Sequence, residues 1–189
     1  MKKIINEPGK IVEEMLQGIV KSYGNLVHQV EDSRVIARND SNKQVGLVSG
    51  GGSGHEPAHA GFVGDGMLNA AVLGDVFTSP TPDQILTGIQ AADQGAGVLL
   101  IVKNYTGDIL NFEMAKDMAD MEDIHVEMVV VDDDIAVEDS TYTAGKRGVA
   151  GTVLVHKILG HHARQGASLE ELVSLGEKIV AATDRKSVV

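Results

Sequence analysis

Residues 98–102 read Val-Leu-Leu-Ile-Val, an aliphatic run with no polar interruption. A strand with one solvated face alternates apolar and polar residues. A run without alternation therefore predicts a strand buried on both faces, as in a parallel sheet covered by helices. Residues 34–38 and 45–48 are two short strand candidates, 67–73 is an apolar run closed by Gly74, and 126–131 is a β-branched strand. Helical patterns are interleaved with them. From Pro8 to about Ser22, the residues Ile11, Val12, Met15, Leu16, Ile19 and Val20 share one face, and Gly24 suits the stop. Thr81 and Gln84 have capping-box spacing with Pro82 at the first helical position, opening a helix to about Asp93. Residues 108–121, 149–164 and 168–182 complete the set, the last with a Ser168/Glu171 capping box. This order predicts an α/β fold: an open, largely parallel sheet flanked by helices, with the ligand site beyond the carboxyl ends of the strands.

Composition narrows the function. A chain of 189 residues suits one domain with a core that needs no staples. There is no cysteine, so disulfides and thiolate metal sites are excluded, which fits a reducing compartment and a cytoplasmic location. A net charge of −11 and 3% aromatics argue against nucleic acid, whose phosphates require a basic footprint. No stretch approaches a membrane span, and Asn6, Glu7 and Pro8 follow Lys2 and Lys3 too soon for a signal-peptide core. Glycine, at 22 residues, is in excess and draws attention to the loops.

Three polar clusters follow predicted strands: residues 49–55, 103–108 and 132–134. The first, Ser49-Gly50-Gly51-Gly52-Ser53-Gly54-His55, lacks the lysine of a Walker loop, and Pro57 replaces the third glycine of G-x-G-x-x-G. It offers instead backbone that a ligand's oxygens can approach closely. His55-Glu56-Pro57-Ala58-His59 also spells H-E-x-x-H, but Pro57 and the preceding glycines deny the two histidines a shared helical face, so no metal site is expected. His55 reads as a proton acceptor held at a loop end. In the second cluster, Asp108 reads either as a group that orients or deprotonates a hydroxyl or as a helix N-cap. Lys103 reads either as a donor to a ligand oxygen or as an exposed strand end. Asp132-Asp133-Asp134 cannot all face one ion on an extended chain and reads as solvated loop or helix cap. His156, His161 and His162 are assigned to surface or packing.

Residues 50–57, 77–83 and 103–113, with Asp132-Asp133-Asp134 and residues 142–148, resemble the K subunit of dihydroxyacetone kinases in order and spacing, over nearly the whole chain to about residue 180. The resemblance implies binding of dihydroxyacetone and its phosphorylation to dihydroxyacetone phosphate. Carried over by motif, Gly52, Ser53, Gly54, His55, Lys103 and Asp108 would contact the triose. His55 would serve as acid/base on a hydroxyl, and Asp108 would help activate the attacking hydroxyl. It also implies that this chain binds no nucleotide itself. A separate L subunit would carry ADP with magnesium as the phosphorylated cofactor, recharged by a phosphotransferase-system protein, whereas other relatives use ATP through a fused L domain. A homodimer is implied as well. Family members hold the substrate carbonyl as a hemiaminal through a histidine in a second domain, and residues 184–189 do not match that continuation. Residues 1–189 are accordingly read as the N-terminal domain, with the histidine-bearing domain absent. The rival reading is a catalytically inactive K-like regulator that binds triose to control transcription.

Overall fold

A computed structural model describes residues 3–40, 42–136 and 145–184. Residues 142–144 of the last quoted motif, and all residues past 184, lie outside them. Among the described residues six strands form one sheet: β1 (Val27–Gln29), β2 (Val35–Arg38), β3 (Gly46–Ser53), β4 (Ala70–Val76), β5 (Val98–Lys103) and β6 (Val126–Val131), in the order β1-β2-β4-β3-β5-β6. β4, β3, β5 and β6 run parallel, whereas β1 and β2 form an antiparallel edge. β1, three residues long, has no hydrophobic signature of its own and escapes the sequence reading.

β5 behaves as its composition demands: all six of its residues are buried. Side chains alternate across a strand, so Leu99 and Ile101 join Leu47, Leu73 and Val129 in the core on one face. Val98, Leu100 and Val102 join Val48, Val72 and Val126 on the other. Each fully buried aliphatic side chain is worth roughly 1.5–3 kcal/mol, so this strand anchors both layers. On the first face lie α1 (Ile11–Tyr23, preceded by a 3-10 turn at Pro8–Lys10), α4 (Thr152–Arg164) and α5 (Leu169–Ala181). On the second lie α2 (Pro82–Ala92) and α3 (Thr106–Asp120). Both capping boxes are present, Thr81 with Gln84 and Ser168 with Glu171. No helix among the described residues is long and apolar enough to cross a membrane.

Two boundaries differ in ways that matter for the site. The glycine run is not a loop. β3 continues through Gly50, Gly51 and Gly52, which pair with Val72, Leu73 and Gly74 of β4, and the ladder slips only between Gly52 and Ser53. Glycine is a poor strand former alone, but here the partner strand supplies the order. α3 begins at Thr106, two residues before the predicted start, so Asp108 lies in its first turn and Tyr105, not Asp108, is the N-cap.

Candidate functional site

The parallel strands end on one edge of the sheet, and three of them, β3, β4 and β5, deliver side chains there. Lys103 is the last residue of β5, His55 follows β3, Phe77 and Ser79 follow β4, and Asp108 rises from the first turn of α3. Gly52, His55, Phe77, Ser79, Lys103, Tyr105 and Asp108 line a cleft of about 370 Å³.

Lys103 is no exposed strand end. It is 7% exposed, and its Nζ donates to Nε2 of His55 at 2.7 Å. An ammonium can donate only to an unprotonated ring nitrogen, so the bond favours neutral His55. Burial, and then the Lys103 charge, lower the His55 pKa below its ordinary value. Burial also lowers that of Lys103, against the opposing carboxylates of Asp108 and Asp133. Asp108 is 5% exposed and accepts a short hydrogen bond from Ser79 Oγ on its Oδ1. Burial raises its pKa, while Ser79 and Lys103 hold the rise in check. Burial makes a carboxylate a better proton acceptor, and the unprotonated nitrogen of His55 supplies a second once the Lys103 ammonium turns from it to a ligand oxygen. A hydroxyl entering the cleft would meet both, with the Lys103 ammonium available to a developing negative oxygen.

Of the residues singled out in the sequence, Gly52, His55, Lys103 and Asp108 converge on this cleft. Ser53 and Gly54 stand beside it: Ser53 Oγ donates to the Gly74 carbonyl at 2.8 Å, and the Gly54 N–H donates to Glu56 at 3.0 Å. Gly52 has a packing reason to lack a side chain. A β-carbon there would lie 2.5 Å from the Thr78 nitrogen and under 3 Å from the Phe77 backbone, so the glycine lets the 77–79 segment close against β3. The ladder pairing of Gly50 to Gly52 likewise does not suit a phosphate cradle. The 55–59 segment is a turn rather than a helix.

One correction concerns two residues read as solvated loop or helix cap. Asp133 and Asp134 are not solvated: both are buried. Asp133 accepts from the Val149 and Gly151 nitrogens at 2.6 and 2.8 Å, holding the chain as it enters α4, and Asp134 pairs with Arg147 at 3.0 Å. His156 is indeed a packing residue, fully buried on α4, but it packs at the site. Its Nε2 lies 3.2 Å from Nδ1 of His59, itself 3% exposed and 3.2 Å from Ser49 Oγ. His59 and His156, with Phe62, Thr152 and others, line a second cavity of about 280 Å³ that shares His55, Lys103 and Tyr105 with the cleft. Burial, above all, keeps both imidazoles neutral, lowering the His156 pKa to about 3 and that of His59 well below its ordinary value. His161 and His162 are exposed. Ser79 and Tyr105 were missed. The signal for Ser79 was available, since a polar stretch follows the apolar run at 67–73 just as polar stretches follow the other strands.

A cleft of acid, amine and imidazole at the carboxyl edge of a mostly parallel sheet defines a small-molecule α/β domain. The family is more specific: the Dak1 domain model matches residues 17–188, and the chain belongs to that family. It is 72% identical over 183 residues to the PTS-dependent dihydroxyacetone kinase 1, dihydroxyacetone-binding subunit DhaK, of Listeria innocua, covering 96% of this chain and 56% of that protein. The crystal structure of the dihydroxyacetone kinase from C. freundii in complex with AMP-PNP and Mg2+ superposes with a TM-score of 0.89 at 44% identity, covering 95% of this chain and 34% of that one. A dihydroxyacetone kinase operon co-activator, Dha-DhaQ, superposes with a TM-score of 0.82 at 43% identity, covering 88% and 51%. The chain spans about half the length of the curated subunits it matches.

Proposed function

We propose that this chain is the N-terminal, dihydroxyacetone-binding domain of a phosphoenolpyruvate-dependent dihydroxyacetone kinase and works as part of a longer subunit. The observation that carries the reading is the convergence of Gly52, His55, Lys103 and Asp108 on one cleft in a chain 72% identical to a dihydroxyacetone-binding subunit. Lys103 and the segment from Gly52 through Ser53 and Gly54 to His55 hold the triose. Asp108, made more basic by burial, accepts a proton from the attacking hydroxyl, and neutral His55 serves as acid/base on a substrate hydroxyl. The phosphoryl donor is an L subunit carrying ADP and magnesium. The ladder-paired glycines of β3 support placing the nucleotide there rather than on this chain. A homodimeric, cytoplasmic protein completes the proposal. The regulator reading rests on likeness to the operon co-activator, but that likeness is at 43% identity against 72% for the kinase subunit.

The test uses the full-length subunit with its phosphoryl donor. His55→Asn and Asp108→Asn are each expected to keep triose affinity within a few-fold while kcat falls by about 10²–10⁴-fold, the usual worth of a positioned acid/base group. A His55→Asn enzyme turning over almost as fast as wild type would leave His55 a binding residue. Triose binding by the wild-type protein with no phosphoryl transfer under any donor would favour the regulator instead.

A further inference from the structure

Asp108 is the third residue of α3, a position from which an acidic side chain can turn back to the N–H of the residue capping the helix. Here that N–H, on Tyr105, already donates to the Lys103 carbonyl at 2.8 Å. The orientation of the carboxyl is set instead from outside α3, by the hydroxyl of Ser79, which donates to Oδ1. Oδ2 accepts no hydrogen bond among the described residues, yet it is not sealed away from the cleft that Asp108 lines.

The place of Ser79 is set by three glycines, none with a left-handed φ. Gly52 of β3 and Gly74 of β4 are partners in the ladder. A β-carbon on Gly52 would stand 2.5 Å from the Thr78 nitrogen, and one on Gly74 would collide with the Thr78 oxygen and lie 2.7 Å from the Pro80 nitrogen. The pair thus forms a floor without side chains, on which residues 77–80 lie. Two hydrogen bonds fasten the segment, from the Phe77 N–H to the Ser53 carbonyl at 2.8 Å and from Asn111 Nδ2 of α3 to the Pro80 carbonyl at 2.8 Å. The third glycine, Gly107, adjoins Ser79 itself: a β-carbon there would stand 2.9 Å from Ser79 Oγ and 3.6 Å from its Cβ. Rotation of the hydroxyl is the easiest relief for that contact, and the hydroxyl is the group bound to Asp108.

We propose that Ser79 is a positioning residue for Asp108: seated by the Gly52–Gly74 pair and given room by Gly107, its hydroxyl holds Oδ1 so that Oδ2 is the oxygen turned to the substrate hydroxyl. This assignment rests on the role given to Asp108 above. The effect on acidity has a defined sign. A hydroxyl donated to a carboxylate favours the ionised form, so the Ser79 hydrogen bond lowers the Asp108 pKa against the rise that burial causes. The other titratable groups facing this carboxyl are Lys103 from β5, which also lowers the pKa, Tyr105 from the start of α3, and His55 and His59 from the segment after β3. Removing the hydroxyl leaves these in place, so the Asp108 pKa should rise and its basic form be lost at a higher pH.

The contact is read first without catalysis, by 13C NMR titration of the Asp108 carboxyl in the full-length subunit free of substrate. Ser79→Ala is expected to raise the Asp108 pKa by about one pH unit, and Gly107→Ala to do the same. In the kinase assay with the phosphoryl donor, each variant should lower kcat about tenfold with KM within a few-fold of wild type, and move the acidic limb of the kcat profile upward. The double variant should be no worse than Ser79→Ala alone, since Gly107→Ala acts only through the hydroxyl. An unmoved Asp108 pKa, a KM that rises while kcat holds, or additive losses overturns the proposal. Should Ser79→Ala fail to fold, Gly107→Ala decides, because alanine is the better helix former at this exposed position of α3. Wild-type protein that transfers no phosphoryl group would defeat the proposed function, while the titration still decides whether Ser79 holds the carboxyl.

Discussion

Acid should unfold this protein partly through His156, and the size of the effect can be worked out. The His156 ring is fully buried and its pKa is lowered from 6.5 to about 3 by burial, with the Lys103 charge adding to the effect. The unfolded chain therefore binds a proton that the folded chain refuses. For a histidine with a depressed folded pKa, stability is intact above the unfolded value and is lost as pH falls through the window between the two. Each pH unit inside that window costs about 1.4 kcal/mol per group, so going from about pH 7 to pH 5 costs about 2 kcal/mol through His156. His59, also shifted downward by burial, acts in the same direction. Asp108, shifted upward, acts in the opposite direction, so the isolated effect is read by comparison with a variant. Urea unfolding of wild type and His156→Gln at both pH values is the assay. Gln keeps a polar side chain near His59 Nδ1 but does not titrate, so its loss of stability between the two pH values should be smaller by about 2 kcal/mol. Equal pH dependence in the two proteins would mean that His156 accepts a proton in the folded state, and the burial argument would be wrong.

Gly52→Ala should destabilise the protein by about 1–3 kcal/mol in urea, because the added carbon meets the Thr78 and Phe77 backbone, and should weaken triose binding by shifting two walls of the cleft. Unchanged stability would mean that the 77–79 segment yields to the added carbon. Lys103→Met should raise the pKa of His55, followed by NMR titration, since the ammonium beside Nε2 depresses it. A fall, or no change, would show that the contact with Lys103 contributes nothing to keeping the imidazole neutral.

Features governed by neighbours in sequence were legible before any tertiary structure. The aliphatic run of β5 demanded burial on both faces, and both capping boxes form because their partners are three residues apart. The strand-end placement of His55, Lys103 and Asp108 followed from the alternation of strands and helices. Tertiary structure decided what depends on partners distant along the chain. Gly50 to Gly52 belong to β3 because β4 pairs with them, against their own propensity. Asp133 and Asp134 are buried because Val149, Gly151 and Arg147 return to satisfy them. His156 reaches His59 across 97 residues only because α4 packs on the sheet beneath the 55–59 turn. A single sequence records the chemistry each residue carries and its short-range preferences. Which charges lose their water, and which of their atoms find a partner, is settled only when distant segments close on one another, since desolvation and hydrogen-bond satisfaction are properties of the packed site.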